Sequence, residues 1–140
     1  MLEKIKSDLR TKFLKKRKLV KNKINKEKKI VKKLKNLLNY NSLVTAVYYS
    51  TKSEVNLINF VYHMHKNQQK ILLPVINKIN SHLLFKEWKA DDRLIPGKYG
   101  IMTPSIKFYE TPKILIVPML AFDKNKDCLL YTSPSPRDNR

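Results

Sequence analysis

Three uninterrupted apolar runs constrain the fold of this chain more than any other feature of its sequence. They are "LVTAVYYS" (43–50), "KILLPVI" (70–76) and "KILIVPMLAF" (113–122), and they are rich in β-branched and other large apolar residues. A strand with one solvated face carries polar residues at alternate positions, whereas a strand covered on both faces is apolar throughout. The three runs therefore predict buried strands of a mainly parallel sheet.

Helical patterns precede and separate these runs. Apolar residues recur at helical spacing over 2–18 and again over 20–38, which predicts two helices or one broken helix. After the first strand, "TKSEVNLINFVYHMHKNQ" predicts a helix capped by Thr51 or Ser53. Residues 83–89 alternate enough to form a third strand, and 90–105 hold both glycines and predict a loop. The order predicts an α/β fold, a mostly parallel sheet flanked by helices in a Rossmann-like, three-layer arrangement.

The positive charge is concentrated at the N-terminus. Residues 1–40 contain 16 Lys/Arg and 3 Asp/Glu, a net charge of +13 out of +19 for the whole chain. Such an arm attracts polyanions. The alternative is a solvated helical face, and we favour it here because the dominance of Lys, Asn and Ile is typical of AT-rich coding sequence.

Two cations within this arm are suitably spaced for a phosphate. Lys6 and Arg10, in "KSDLR", stand at i and i+4 and extend from one helix face. An Arg fork and a Lys point charge held together can clamp a nucleotide phosphate. An ordinary exposed charged face explains the same spacing, and from spacing alone it is the commoner case.

Ligands of parallel sheets bind beyond the carboxyl ends of the strands. At the end of the first strand, "YYSTKSEV" brings Tyr49 and Glu54 together, and an aromatic ring beside a carboxylate can hold a flat, amine-bearing heterocycle. The alternative places Tyr49 in the core and makes Glu54 a favourable charge in the first turn of a helix. The sequence leaves the two interpretations balanced.

Other reactive residues carry weaker signals. His63 and His65 at i and i+2 point to different sides of a helix, so surface histidines are expected rather than a metal site. Trp88 can stack on a ligand ring, although core packing is commoner. The one cysteine, Cys128, excludes an internal disulfide. No catalytic residue and no metal ligand can be assigned.

The order of these segments resembles the 5-formyltetrahydrofolate cyclo-ligase family, also called methenyltetrahydrofolate synthetase. The matching segments are "KSDLR", "AVYYSTKSEVN", "KILLPVI", "LLFKEWKADDRLIPGKYGIMTPS" and "ILIVPMLAFD". Together they cover nearly all of residues 6–127. Two positions depart from the family pattern, Thr103 where Glu is usual and Met119 where Gly is frequent.

The resemblance implies an enzyme of one-carbon metabolism that uses ATP and Mg²⁺ to cyclise 5-formyltetrahydrofolate to 5,10-methenyltetrahydrofolate, with release of ADP and phosphate. It implies that Lys6 and Arg10 contact the ATP phosphates. It also implies that Tyr49 and Glu54 hold the reduced folate, with Glu54 accepting hydrogen bonds from the pterin. We expect a cytoplasmic monomer without a specific nucleic-acid partner. We expect no membrane partner either, since no apolar run approaches the roughly 18 residues that span a bilayer.

The family pattern stops after "FDKNKD". There the family continues with a glycine-rich run whose backbone amides cradle the ATP phosphates, but this chain continues "CLLYTSPSPRD", which resembles one reading frame of a sequencing adaptor. We therefore expect 1–127 to be a C-terminally incomplete cyclo-ligase domain and 128–140 a non-native tail, and we expect this fragment to be inactive. A disordered Ser/Pro tail is the alternative.

A basic nucleic-acid-binding module is the alternative function. It would use the N-terminal arm, and it would need arginines and aromatic rings interleaved along that arm. Besides Tyr40 at its end, the arm supplies only Arg10, Arg17 and Phe13 among many lysines.

Overall fold

A computed structural model describes residues 1–38, 43–51, 53–76 and 82–129 of the chain. The two N-terminal helices are present as expected, as α1 (Leu2–Lys18) and α2 (Lys23–Leu38). Four cations in the last turn of α1 favour its end there, because they complement the negative end of the helix dipole. Asn22 then adopts a φ of 55°, a left-handed conformation that asparagine tolerates, and the chain turns into α2.

The remaining elements are short. One further helix, α3, spans Ile58–Lys66, and a single 3-10 turn spans Lys98–Gly100. The strands, in chain order, are β1 (Thr45–Ala46), β2 (Ile71–Val75), β3 (Leu84–Glu87), β4 (Ile95–Pro96), β5 (Met102–Thr103), β6 (Ile114–Leu115), β7 (Ala121–Phe122) and β8 (Cys128–Leu129). Within the described ranges, no helix is both long and apolar enough to cross a membrane.

The central sheet confirms the predicted α/β class. Its strand order is β3-β2-β1-β6, with β1 parallel to both β2 and β6 and with β3 antiparallel to β2. From β1 the chain passes through α3 to β2 on one side, whereas β6 is added on the other side. The strand order therefore reverses at β1, and this reversal marks where open parallel sheets place their ligands.

Alternation along the strands divides the core between the two sheet faces. Ile71 and Leu73 pack with Val31 of α2 and with the buried residues of α3, which are Phe60, Val61 and Met64. Leu72 points the other way and packs with Ala46 and Phe85 in a smaller cluster. Helices α2 and α3 thus cover one face through the larger cluster.

The third apolar run differs from its prediction. Within residues 113–122, β6 is only two residues long, and the last two residues form β7, which pairs with β8 in a separate hairpin. Pro118 cannot donate to a ladder, and Leu115, Val117 and Met119 remain 43%, 38% and 43% exposed. The prediction of a strand buried on both faces is wrong here, because among the described residues β6 lies at the edge of the sheet.

The predicted loop over 90–105 contains a hairpin made of β4 and β5. Gly97 begins the turn, and a Cβ there would stand 2.9 Å from both Ile101 O and Thr103 Cγ2. Thr103 is buried and donates its hydroxyl to Ile95 O at 3.3 Å. The threonine at this position therefore has a packing role against the glycine turn.

Candidate ligand-binding site

The carboxyl ends of β1 and β6 lie side by side, because the two strands pair in parallel with Ala46 opposite Leu115. The segment after β1 contains the predicted residues Tyr49 and Glu54. The segment after β6 runs from residue 116 into β7. Since the strand order reverses at β1, the crevice between these two segments is the expected ligand position for this topology.

Glu54 is fixed in a tight turn. Its side chain is buried, its backbone N–H donates to Thr51 O at 3.1 Å, and its Oε1 accepts from Thr51 N at 2.8 Å and from Thr51 Oγ1 at 2.9 Å. Helix α3 begins only at Ile58, where Asn56 Oδ1 accepts from the Ile58 N–H at 3.0 Å. Glu54 is therefore not a charge in the first turn of a helix, and the predicted cap at Thr51 or Ser53 is instead a turn that holds the carboxylate.

A basic and a phenolic group accompany this carboxylate. Arg17, in the last turn of α1, donates its Nε–H to Ser53 Oγ at 2.8 Å, and Tyr48 donates its hydroxyl to Val55 O at 2.9 Å. Burial raises the pKa of Tyr48 to about 12, and the charge of Glu54 adds to the rise while that of Arg17 opposes it. Arg17 and Tyr48 thus share one electrostatic environment with Glu54.

Tyr49 keeps an exposed ring beside a buried one. Its side chain is 43% exposed, and its ring centroid lies 6.1 Å from that of Trp88 at an interplanar angle of 55°. Trp88 belongs to the larger core cluster, and its carbonyl oxygen lies 2.6 Å from His65 Nε2. Trp88 therefore has the core role, and Tyr49 presents the surface available to a flat ligand.

Lys6 and Arg10 lie on one face of α1 together with Phe13 and Arg17, since the spacing is i, i+4, i+7 and i+11. All four are half-buried. Phe13 lines a shallow recess with residues 119–122, just after β6, and Arg17 contacts Ser53 after β1. Phe13 and Arg17, in the C-terminal half of this face, thus lie against the segments that follow β6 and β1.

The two pairs of predicted residues are separated along α1. From the helical rise, Arg10 lies about 10 Å and Lys6 about 16 Å along α1 from Arg17, which contacts the turn that holds Glu54. Helix α1 therefore links the two cations, through Arg17, to the turn that holds Glu54. Within the described ranges, no cluster of three His, Cys, Asp or Glu side chains is suited to a metal ion.

Sequence reasoning missed two residues of this site. Arg17 is about three turns beyond Lys6 on the same helix face, so the spacing that singled out Lys6 and Arg10 could have extended to it. Tyr48 gave no signal, because an aromatic residue beside a strand end is typical of a core.

Comparison with known proteins identifies the family. A sequence model of the 5-formyltetrahydrofolate cyclo-ligase family matches residues 3–127. The chain belongs to this family. No curated protein matches the chain.

Two solved structures resemble the fold of this chain. The NMR structure of the Aquifex aeolicus 5,10-methenyltetrahydrofolate synthetase is 27% identical, with a TM-score of 0.72 over 85% of this chain and 63% of that one. The Mycoplasma pneumoniae 5,10-methenyltetrahydrofolate synthetase is 21% identical, with a TM-score of 0.66 over 90% of this chain and 71% of that one. The chain therefore spans less than two thirds of the length of the Aquifex protein.

Proposed function

We propose that the complete protein to which this chain corresponds cyclises 5-formyltetrahydrofolate to 5,10-methenyltetrahydrofolate with ATP and Mg²⁺. The observation that carries the proposal is the single face of α1 that bears Lys6 and Arg10 and reaches, through Arg17, the turn of Glu54. Membership of the cyclo-ligase family supplies the reaction class.

Lys6 and Arg10 are the proposed phosphate contacts. The residues fit an anionic ligand, because two half-buried cations stand one helical turn apart on the face of α1 that also carries Phe13 and Arg17. Arg offers a planar fork and Lys a compact charge to phosphate oxygens. Because no three-ligand cluster stands among the described residues, Mg²⁺ would be held chiefly by the phosphates and by water, its usual mode in phosphoryl transfer.

Tyr49 and Glu54 are the proposed folate contacts. A pterin presents a planar face and a row of N–H donors, which suit an exposed ring and a carboxylate. Thr51 occupies Oε1 of Glu54, and within the described residues no hydrogen bond engages Oε2. The turn therefore orients the carboxylate while leaving one oxygen for a ligand donor.

The chemistry requires activation of a formyl oxygen. As a formamide oxygen it is a poor leaving group; once it carries a phosphoryl group from ATP, attack by N10 can expel it as phosphate and close the ring. The chain's own groups bind and orient the two substrates and neutralise phosphate charge, the main protein contribution in phosphoryl transfer.

We expect the 140-residue chain itself to lack turnover. Residues 124–140 contain no glycine, whereas the family places a glycine-rich phosphate loop there, and prolines at 134 and 136 have no N–H to donate. We propose that 128–140 are non-native, although Cys128 and Leu129 pair with β7 in the structure.

The experiment uses an extended chain, defined as residues 1–127 followed by the C-terminal segment of the Aquifex aeolicus protein that lies beyond the match. We expect ATP- and Mg²⁺-dependent formation of methenyltetrahydrofolate, followed by its near-ultraviolet absorbance. The unextended chain is the matched control. A folded extended chain without turnover would overturn the proposed function.

A further inference from the structure

A second surface lies on the outer side of α2 and shares no residue with the ligand-binding site. A groove of about 720 Å³ runs between α2 and α3, and we call it the α2–α3 groove. Lys28, Lys32 and Lys35 line it from α2, and Lys66 lines it from α3. The three α2 lysines stand at i, i+4 and i+7, so they form one row about 10 Å long on a single helix face.

The charges of this groove are not neutralised within the described part of the chain. None of the four lysines takes part in an ion pair there. Glu27 is the one carboxylate that lines the groove, and its Oε2 already accepts from the backbone N–H of Asn56 at 2.5 Å. The groove therefore presents a net positive surface to a polyanion.

An exposed aromatic ring stands beside this row of cations. Tyr62 lines the groove from α3 and is 61% exposed, although its neighbours Val61 and Phe60 are fully buried. The N-terminal arm has only Phe13 and Tyr40 as aromatic residues among its lysines, but folding adds Tyr62 of α3 beside the lysines of α2. Cations that follow a backbone, together with a ring on which a base stacks, are the two components of single-strand binding grooves.

We propose that the α2–α3 groove binds single-stranded nucleic acid without base specificity, as a function additional to folate cyclisation. Lys28, Lys32, Lys35 and Lys66 contact successive phosphates, and Tyr62 stacks on one base. An acidic peptide would be attracted by the lysines alone and would have no use for the ring. The ring therefore favours the nucleic acid.

The test titrates the 140-residue chain into a labelled oligouridine about 12 nucleotides long and follows fluorescence anisotropy. Lys28→Gln/Lys32→Gln removes two groove charges, and Lys29→Gln/Lys33→Gln removes two exposed charges that do not line the groove. We expect the groove pair to weaken binding about tenfold and to lower the slope of log K against log salt by about 1.4. We expect the control pair to change binding less than about threefold. If the two double variants lose the same affinity for oligouridine, binding depends only on the net charge of the chain and the proposal is overturned.

The ring is tested separately. Tyr62→Leu should weaken oligouridine binding about tenfold, Tyr62→Phe should leave it nearly unchanged, and Phe108→Leu, at an exposed ring outside the groove, should have no effect. Polyglutamate is the competitor for the labelled oligouridine. If it competes as strongly as unlabelled oligouridine does, or if Tyr62→Leu binds oligouridine as tightly as the wild type, the groove binds acidic chains in general and the proposal is contradicted. Circular dichroism of each variant checks that the helices remain.

Discussion

At the scale of single residues, Glu54 shows how a carboxylate can be both held and available. One oxygen closes the turn with Thr51, so the side chain has little freedom to rotate. Its charge also affects Tyr48, the pKa of which rises to about 12 first through the burial of Tyr48 itself and then through the charge of Glu54. These two neighbours give predictions that separate the structural role of Glu54 from its proposed role in binding.

Glu54→Gln removes the charge but retains an oxygen that can accept from Thr51. In the extended chain we expect it to weaken folate binding by about 1.5–3 kcal/mol, because a charged acceptor is lost to pterin donors. The affinity for ATP should change little. Isothermal titration with each ligand makes the comparison, and equal losses for both ligands would assign Glu54 a purely structural role.

The raised pKa of Tyr48 predicts that the free energy of unfolding falls at alkaline pH. Its pKa in the folded chain is about 12 against an ordinary 10.0, so the unfolded chain loses this proton first as the pH rises. The stability that Tyr48 contributes is complete below pH 10 and is lost between about pH 10 and pH 12. Urea unfolding across this range should show the loss in the wild-type chain.

Tyr48→Phe should remove that alkaline component and, by deleting the hydrogen bond to Val55 O, cost about 0.5–1.5 kcal/mol at neutral pH. Tyr62→Phe is the control, since Tyr62 is exposed. If Tyr48→Phe unfolds at high pH with the same profile as the wild type, the pKa of Tyr48 is not raised.

At the scale of elements, α1 connects the two ends of the candidate site. One face of this helix carries the proposed phosphate contacts, and the last turn of the same face contacts the turn of Glu54 through Arg17 and Ser53. No residue of α1 is fully buried, so the helix is attached by few contacts. Its position therefore depends strongly on the Arg17 contact and on Phe13.

Arg17→Met retains much of the side-chain length and removes the donor. We expect a loss of about 1–3 kcal/mol in the free energy of unfolding, because the donor is charged and partly buried. The pKa of Tyr48 should rise further, since the charge of Arg17 opposes its rise. Lys18→Met, at an exposed position of the same turn, is the control. Unfolding curves and hydrogen exchange in α1 give the measurement, and equal behaviour of the two variants would contradict this role for Arg17.

The sequence predicted elements well where local pattern decides them. Periodicity located α1 and α2, and the apolar run over 70–76 contains the whole of β2. The sequence pattern located β6 poorly, because a run that is apolar on both faces does not reveal whether a neighbouring element covers it. It also missed the late start of α3 at Ile58, since Thr51 has the chemistry of a helix cap but forms a turn with Glu54.

At the scale of the whole molecule, the topology explains how residues distant in sequence can contribute to the candidate site. The reversal of strand order at β1 brings the segments after β1 and β6 together, and α1 lies across both of them. Spacing alone could pair Lys6 with Arg10 and Tyr49 with Glu54. It could not relate the two pairs, because their relation depends on a contact between residues 36 positions apart in the chain.

The central claim is that one face of α1 binds the phosphates of ATP. The most direct test is the KM for ATP of the extended chain with Lys6→Gln/Arg10→Gln, compared with Lys4→Gln/Lys15→Gln, which removes the same charge from exposed positions on the opposite side of α1. We predict that the first pair raises this KM at least about 100-fold, as the loss of two charge-assisted contacts requires, and that the second pair raises it less than about threefold. Equal increases for the two pairs would contradict the account.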